Sequence, residues 1–153
     1  MIRQRLTDSL KQAMKERDDR TVRTIRLILA ALKDRDIAVR TKTGRQDGLD
    51  DQEIVSLLQT MVKQRRESIA LYEQGARVDL AEGEQAEIAI IERFLPQQMS
   101  DDQIREAVNA VIAEIGATGL KDMGRTMATL KSRHGGTMDF SKASGVAKAA
   151  LSG

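Results

Sequence analysis

The stretch EIAIIERFLPQQMSDDQIREAVNAVIAEIG, residues 87–116, decides the fold. Its apolar residues recur every three or four positions on both sides of Pro96, which is the spacing of one face of an α-helix. Pro96 must end the first of these helices, because proline disfavours helical geometry in the residue before it. Ser100 and Gln103 have the spacing of a capping box that begins the second. The stretch therefore predicts two helices separated by a domain boundary.

The same helical spacing extends over nearly the whole chain. It predicts four helices before Pro96 and three after it, and no segment alternates apolar and polar residues as a half-buried strand would. Only 2% of the 153 residues are aromatic, so aliphatic side chains must fill the core. We expect an all-α protein with a helical N-terminal domain of about four helices at residues 1–95 and a small three-helix domain at residues 96–153.

Further capping patterns place the ends of the other helices. Asp50 with Glu53, and Asp79 with Glu82, repeat the capping-box spacing and predict the starts of the third and fourth helices. Residues 41–50 are polar and contain two glycines. Their composition predicts a mobile loop between the second and third helices.

The second predicted helix is basic on the side opposite its apolar stripe. Arg23, Arg26 and Lys33 fall on that opposite side. Leu27 and Ala31 lie outside the main apolar stripe, which predicts that this helix contacts neighbours on two sides.

The net charge is only +2, but the charges are distributed unevenly. Residues 1–45 contain 13 Lys and Arg against 6 Asp and Glu, whereas residues 46–100 contain 5 against 11. Residues 121–153 again carry an excess, 6 basic against 2 acidic. Basic ends around an acidic middle suit binding of a polyanion at the ends, although the same pattern also fits ordinary solvated helix faces.

The chain lacks the residue patterns of a catalytic or metal site. It has no cysteine, which excludes disulfides, thiolate catalysis and cysteine-based zinc sites. His134 is the single histidine and suits the last turn of a helix, with contact to a ligand phosphate as the alternative. Glu82, Glu84 and Glu87 lack the Glu-x-x-His pairs of di-metal bundles. We predict no catalytic residue, no bound metal and no cofactor.

Residues 119–126, GLKDMGRT, resemble the phosphate loop G-x-x-x-x-G-K-[ST] with arginine in the lysine position. That loop works because it follows a strand and opens a helix, so that its amides converge on phosphate. The preceding residues have helical spacing instead. The sequence therefore argues against nucleotide hydrolysis.

The N-terminal segment MIRQRLTDSLKQAM, residues 1–14, has no apolar core of signal-peptide length. No stretch approaches the ~20 apolar residues of a membrane span. We therefore expect a cytoplasmic protein that does not associate with a membrane.

The last two predicted helices gather the candidate binding residues. The cations there are Lys121, Arg125, Lys131, Arg133, Lys142 and Lys148. Such side chains neutralise phosphates, but the aromatic platforms that stack single-stranded bases are missing. Contact with the backbone of a folded RNA suits this surface better. A solvated surface without a ligand is the alternative.

Three segments, taken in order, resemble the GatB/YqeY family. They are RTIRLILAALKDRDI at residues 23–37, LLQTMVKQRRESIALYEQGARVDLAEGEQAEIAIIERFLPQQMS at residues 57–100, and GLKDMGRTMATLKSRHGG at residues 119–136. The resemblance covers nearly the whole chain. It implies a helical N-terminal domain and relates residues 96–151 to the tail of the GatB subunit of glutamine-dependent tRNA amidotransferase, a tail that contacts the outer body of the tRNA.

The resemblance also suggests which residues bind RNA. Lys121, Gly124 and Arg125 match the family pattern K-D-M-G-[KR], whereas Thr137 stands where arginine is common. The transamidation domain has no equivalent here. The leading hypothesis is a non-catalytic tRNA-binding or tRNA-associated adaptor. The residues expected to bind nucleic acid are Lys121, Gly124, Arg125, Lys131, Arg133 and Lys142.

Two alternatives remain open. The acidic fourth helix and the basic second helix suit a protein–protein interaction module that holds its partners by charge complementarity. The family resemblance also suits an accessory of the glutamine-dependent amidotransferase, whose activity is that of a carbon–nitrogen ligase.

Overall fold

The computed structural model describes residues 1–153 and consists of seven α-helices and one short 3-10 helix, with no strand. The α-helices are α1 Ile2–Glu16, α2 Asp19–Thr43, α3 Asp51–Gln74, α4 Val78–Glu92, α5 Asp101–Ile115, α6 Met123–His134 and α7 Phe140–Ser152. The 3-10 helix Leu120–Asp122 directly precedes α6. The prediction of an all-α fold is confirmed.

The chain forms two compact units, Met1–Leu95 and Pro96–Gly153. The first contains α1 to α4, and the second contains the 3-10 helix with α5 to α7. Each unit buries its own cluster of apolar side chains.

The core of the first unit is aliphatic, as its composition requires. Each of its helices contributes completely buried leucine or isoleucine side chains, which are Leu6, Ile25, Ile28, Ile54, Leu58, Ile88 and Ile91. Burial of one such side chain contributes about 1.5–3 kcal/mol. Leu27 departs from the sequence-based expectation, because it is 49% exposed and lies outside this core.

The core of the second unit is smaller and uses short side chains on α7. Leu130 of α6 and Met138 pack with Ile104, Val108 and Val111 of α5 and with Ala143 and Ala147 of α7. Ala150 has helical spacing with the buried alanines of α7. It is exposed instead, because the buried row of α7 runs through positions 143, 147 and 151.

Two of the three predicted capping boxes are present. The backbone N–H of Glu53 donates to the Asp50 carboxylate at 2.8 Å, and α5 has the same reciprocal arrangement between Ser100 and Gln103. The Asp79 prediction was wrong, since α4 begins at Val78 and Asp79 accepts hydrogen bonds from the Arg77 guanidinium. A left-handed Ala76, with φ of 58°, reverses the chain so tightly that α4 starts before Asp79.

The polar segment between α2 and α3 is shorter than predicted. Helix α2 continues to Thr43, and Gly44 ends it with φ of +75°. The Asp36 carboxylate accepts hydrogen bonds from the Arg3 guanidinium at 2.7 and 2.8 Å and from the Leu49 N–H at 2.8 Å. These bonds fasten the end of the segment to α1 and α2.

Candidate nucleic-acid interface

The turn into α6 is organised by an aspartate. Gly116 ends α5 in the left-handed region, and the Asp122 carboxylate then accepts hydrogen bonds from the backbone N–H groups of Thr118 at 2.9 Å and Gly119 at 3.3 Å. The Arg125 guanidinium donates to its second oxygen at 3.1 Å. Asp122 therefore accepts hydrogen bonds from the backbone N–H groups of the turn and places a negative charge beside Arg125.

Asp122 belongs to the candidate site but is absent from the residues that the sequence predicts to bind nucleic acid. Its side chain is only 13% exposed, and it stands three positions after Gly119, the spacing at which the N3 side chain of a capping box accepts a hydrogen bond from the N-cap backbone. That spacing was visible in the sequence. The carboxylate also occupies the start of α6, where a ligand phosphate would otherwise be favoured by the helix dipole.

Gly124 lies in the first turn of α6 without a steric need for glycine. It is exposed, and a Cβ built on it meets no atom within 4 Å. The backbone around it is therefore accessible to a ligand. We expect Gly124→Ala to leave folding intact, with a change of no more than about 1 kcal/mol in the free energy of unfolding, because alanine has the higher helix propensity.

Arg133 and Lys142 are both held by carboxylates of α5. The Arg133 guanidinium forms two hydrogen bonds with Glu114, at 2.5 and 2.6 Å, and the Lys142 ammonium donates to Asp101 at 2.9 Å. Asp101 and Glu114 lie at opposite ends of α5, about 20 Å apart at 1.5 Å per residue. The structure therefore holds Arg133 and Lys142 near opposite ends of α5.

Lys121 and Lys131 are the candidates without an acidic partner. Both are exposed and neither forms an ion pair. The Lys131 ammonium lies over the Phe140 ring, 6.0 Å from its centroid, a contact that leaves its charge uncompensated. Of the five candidate cations, two are free and three stand beside carboxylates.

The residues that resemble a phosphate loop do not form one. They follow helix α5 instead of a strand. The Thr126 hydroxyl, at the position where a phosphate loop holds its metal, is fully buried and donates to the Asp122 carbonyl at 2.8 Å. His134 is the last residue of α6, and its carbonyl accepts the backbone N–H of Thr137.

The acidic residues of α4 form ion pairs with α3. Arg65 is mostly buried and donates to Glu87 at 3.0 Å, with Glu84 at 4.0 Å, while Arg66 lies 3.9 Å from Glu92. No group of three or more His, Cys, Asp or Glu side chains is placed to hold a metal ion.

None of the helices combines the length and the apolar character that a passage through a lipid bilayer requires.

The stability that the turn before α6 contributes to the fold should depend on pH. Hydrogen bonds from the backbone of Thr118 and Gly119 lower the pKa of the Asp122 carboxyl, and the charges of Arg125 and Lys121 add to this effect. Asp122 therefore stabilises the fold above its unfolded pKa of about 3.9, and this contribution is lost as the pH falls through the lower folded value.

We expect Asp122→Asn to melt at a lower temperature than the unaltered chain near neutral pH. The difference should shrink as the pH falls from ~6 towards ~2, because protonation removes the charge from the unaltered chain as well. Thermal unfolding followed by circular dichroism measures this difference. A gap that stays constant over the whole range would show that the charge of Asp122 contributes nothing.

In a comparison with known proteins, nearly the whole chain matches one protein family. The family model described as Yqey-like protein matches residues 3–151. Curated relatives include yeast proteins named "Altered inheritance of mitochondria protein 41, mitochondrial". The protein from Vanderwaltozyma polyspora is 28% identical over 125 residues, which are 77% of this chain and 64% of the relative.

Two further relatives carry the same name. The protein from Lachancea thermotolerans is 32% identical over 72% of this chain and 57% of its own length. The protein from Eremothecium gossypii is 31% identical over 74% of this chain and 60% of its own length. The matches thus span less than two thirds of the length of these relatives.

Proposed function

This chain belongs to the Yqey-like protein family, also called GatB/YqeY, and on that premise we propose that it is a non-catalytic tRNA-binding or tRNA-associated adaptor. The observation that carries the proposal is the pair of exposed lysines, Lys121 and Lys131, that have no carboxylate partner on the surface of the second unit. The resemblance of this unit to the tail of a tRNA amidotransferase subunit supports the same partner.

The ion pairs of the other three cations oppose RNA binding only weakly. The side chains of Arg125, Arg133 and Lys142 are 44–56% exposed, and the partner carboxylates of Arg133 and Lys142 are exposed as well, whereas Asp122 beside Arg125 is mostly buried. Exposed pairs of this kind contribute about 0–1 kcal/mol, so a phosphate can compete with the carboxylate. The released carboxylate nevertheless remains near the phosphate. We therefore propose weak, salt-sensitive docking in which Lys121 and Lys131 contribute most.

The scarcity of exposed aromatic side chains argues against the recognition of individual bases. The chain has two Phe, one Tyr and no Trp; Phe94 is buried and Phe140 is half-buried in the core of the second unit. Tyr72 is partly buried as well, so none of the three aromatic rings is fully exposed as a platform on which bases could stack. The proposed adaptor recognises the shape of a folded RNA through its backbone.

Salt-titrated binding to total tRNA tests the proposal. Lys121→Ala/Lys131→Ala should weaken binding and make the slope of log affinity against log salt less negative by about 1.4–1.8, because two phosphate contacts are lost. Arg105→Ala is the control, since Arg105 is an exposed cation of the same unit whose partner is Asp102. Absence of binding at low salt, or an equal loss in the control, would contradict the proposal.

Glu114→Gln should increase the affinity for tRNA. The change removes the negative charge that holds Arg133 and leaves a free cation that can contact a phosphate. The same titration measures it, and a gain of affinity cannot result from partial unfolding. Unchanged affinity would exclude Arg133 from the interface.

A protein-interaction role based on the acidic fourth helix is less well supported. Glu84, Glu87 and Glu92 of α4 already pair with arginines of α3, so they are not available to attract a basic partner. A role as an amidotransferase accessory stands on the family resemblance, and glutamine-dependent amidation that rises when this chain is added to the core enzyme would support it. We propose the cytoplasm as the location, whereas the yeast relatives are named as mitochondrial proteins.

A further inference from the structure

Helix α2 presents a row of cations that lack acidic partners. Arg23, Arg26 and Lys33 are exposed, and none of them forms an ion pair. At 100° per residue they fall within an arc of about 80°, and they extend over about 15 Å of the helix. We call these three residues the α2 basic face.

The position of this face is fixed by the opposite side of the helix. Ile25, Ile28 and Leu32 of α2 are buried in the core of the first unit, so the helix cannot rotate about its axis. The charged ends of the long side chains must therefore point to solvent. Rigid presentation reduces the entropy that a ligand would otherwise have to offset.

The acidic residues near α2 do not neutralise this face. Residues 17–45 contain nine Lys and Arg against four Asp. Asp36 is bonded to Arg3 and Leu49, and Asp18 caps the start of α2. Only Asp19 and Asp34 remain on the exposed side, so the face keeps a positive charge.

The composition of the face favours a polyanion over a protein partner. Its large apolar residues are Leu27 and Ile37, which are 49% and 43% exposed and about 15 Å apart along the helix. Protein interfaces usually centre on a contiguous apolar patch with aromatic anchors, and this face has neither. Phosphates require only regularly presented cations.

We propose that the α2 basic face is a second RNA-docking surface, in the N-terminal unit, that binds the phosphate backbone of a folded RNA. The inference shares with the proposed function the premise that the partner is RNA. It differs in the site, because the contacts come from unpaired cations of α2. Each of the three cations neutralises one phosphate, and the bases are not read.

Salt-titrated binding of the full chain to a folded tRNA transcript tests this surface. Arg23→Gln/Arg26→Gln/Lys33→Gln should make the slope of log affinity against log salt less negative by about 2–3. The matched control is Lys63→Gln/Arg77→Gln/Arg105→Gln, which removes three exposed positive charges elsewhere and should change the slope less. Equal slopes for the two triple variants would overturn the proposal.

Asp34→Asn provides a second test, in which the expected result is a gain of affinity that partial unfolding would not produce. Asp34 is exposed and borders the arc of the basic face, about 20° beyond Arg23 at 100° per residue. Removal of its charge should raise the affinity for the transcript and make the slope steeper. Unchanged affinity in this variant would count against the face.

The experiments can contradict the proposal for either surface independently of the other. Loss of binding in the α2 triple variant alone supports the α2 basic face and argues against the second unit as the docking site. Loss in Lys121→Ala/Lys131→Ala alone does the reverse and overturns this inference. Binding to poly-glutamate or to anionic lipid vesicles, with the same dependence on α2 and no binding to the transcript, would also overturn it.

Discussion

Replacement of Leu130 by alanine is expected to lower the free energy of unfolding of the second unit by about 2–5 kcal/mol. Leu130 is 0% exposed and packs in the core that α5, α6 and α7 share. Removal of its side chain leaves a cavity that the short side chains of Ala143 and Ala147 cannot fill. Small domains have stabilities of only about 0.05–0.15 kcal/mol per residue, so a loss of this size is expected to populate an unfolded second unit.

Leu120→Ala is the matched control for this prediction. Leu120 belongs to the same unit but is 51% exposed, so the same chemical change should cost less than about 0.5 kcal/mol. Urea denaturation followed by circular dichroism measures both variants. Equal effects would mean that Leu130 does not anchor this core.

Leu130→Ala also connects stability with the proposed function. Helix α6 carries Arg125, Lys131 and Arg133 as exposed side chains, whereas Leu130 of the same helix is buried. Unfolding of α6 should therefore remove the contacts proposed for the second unit, whereas the α2 basic face belongs to the other unit. Residual, salt-sensitive binding to tRNA in this variant would be the contribution of α2.

The fold could be predicted from local sequence because its determinants are local. Helical periodicity and end residues close together in the chain define each helix, as with Ser100 and Gln103 at the start of α5. The Asp79 prediction failed for a reason that local spacing does not contain. The tight left-handed turn at Ala76 sets where α4 begins, and alanine gives no warning of such a turn.

The candidate site could be predicted only in part. The identity of the cations is visible in the sequence, but their charge environment depends on pairs that are distant along the chain. Arg133 meets Glu114 across 19 positions, and Lys142 meets Asp101 across 41. By contrast, Arg23 and Lys33 stay unpaired because their side of α2 faces solvent. Tertiary packing therefore decides which basic residues are free to bind.

Long-range pairing also makes one glycine essential in the loop before α3. Gly48 has φ of +75°, and a Cβ built on it would lie 2.7 Å from the carboxyl carbon of Asp36 and 2.9 Å from the Arg3 guanidinium. Gly48→Ala is expected to destabilise the first unit in two ways. The left-handed backbone costs about 1–2 kcal/mol, and the collision adds the cost of overpacking, about 1–3 kcal/mol.

Gly44→Ala separates the two contributions. Gly44 has the same φ of +75°, but a Cβ built there meets no atom within 4 Å, so it should show only the cost of the left-handed backbone. Urea denaturation of both variants should therefore place Gly48→Ala well below Gly44→Ala in stability. If the difference arises from the collision, Gly48→Ala should cost less in an Asp36→Ala background, because truncation of the carboxylate makes room for the new Cβ. An unchanged cost in that background would mean that the Asp36 and Arg3 side chains move aside freely, and that their bonds do not fasten the loop.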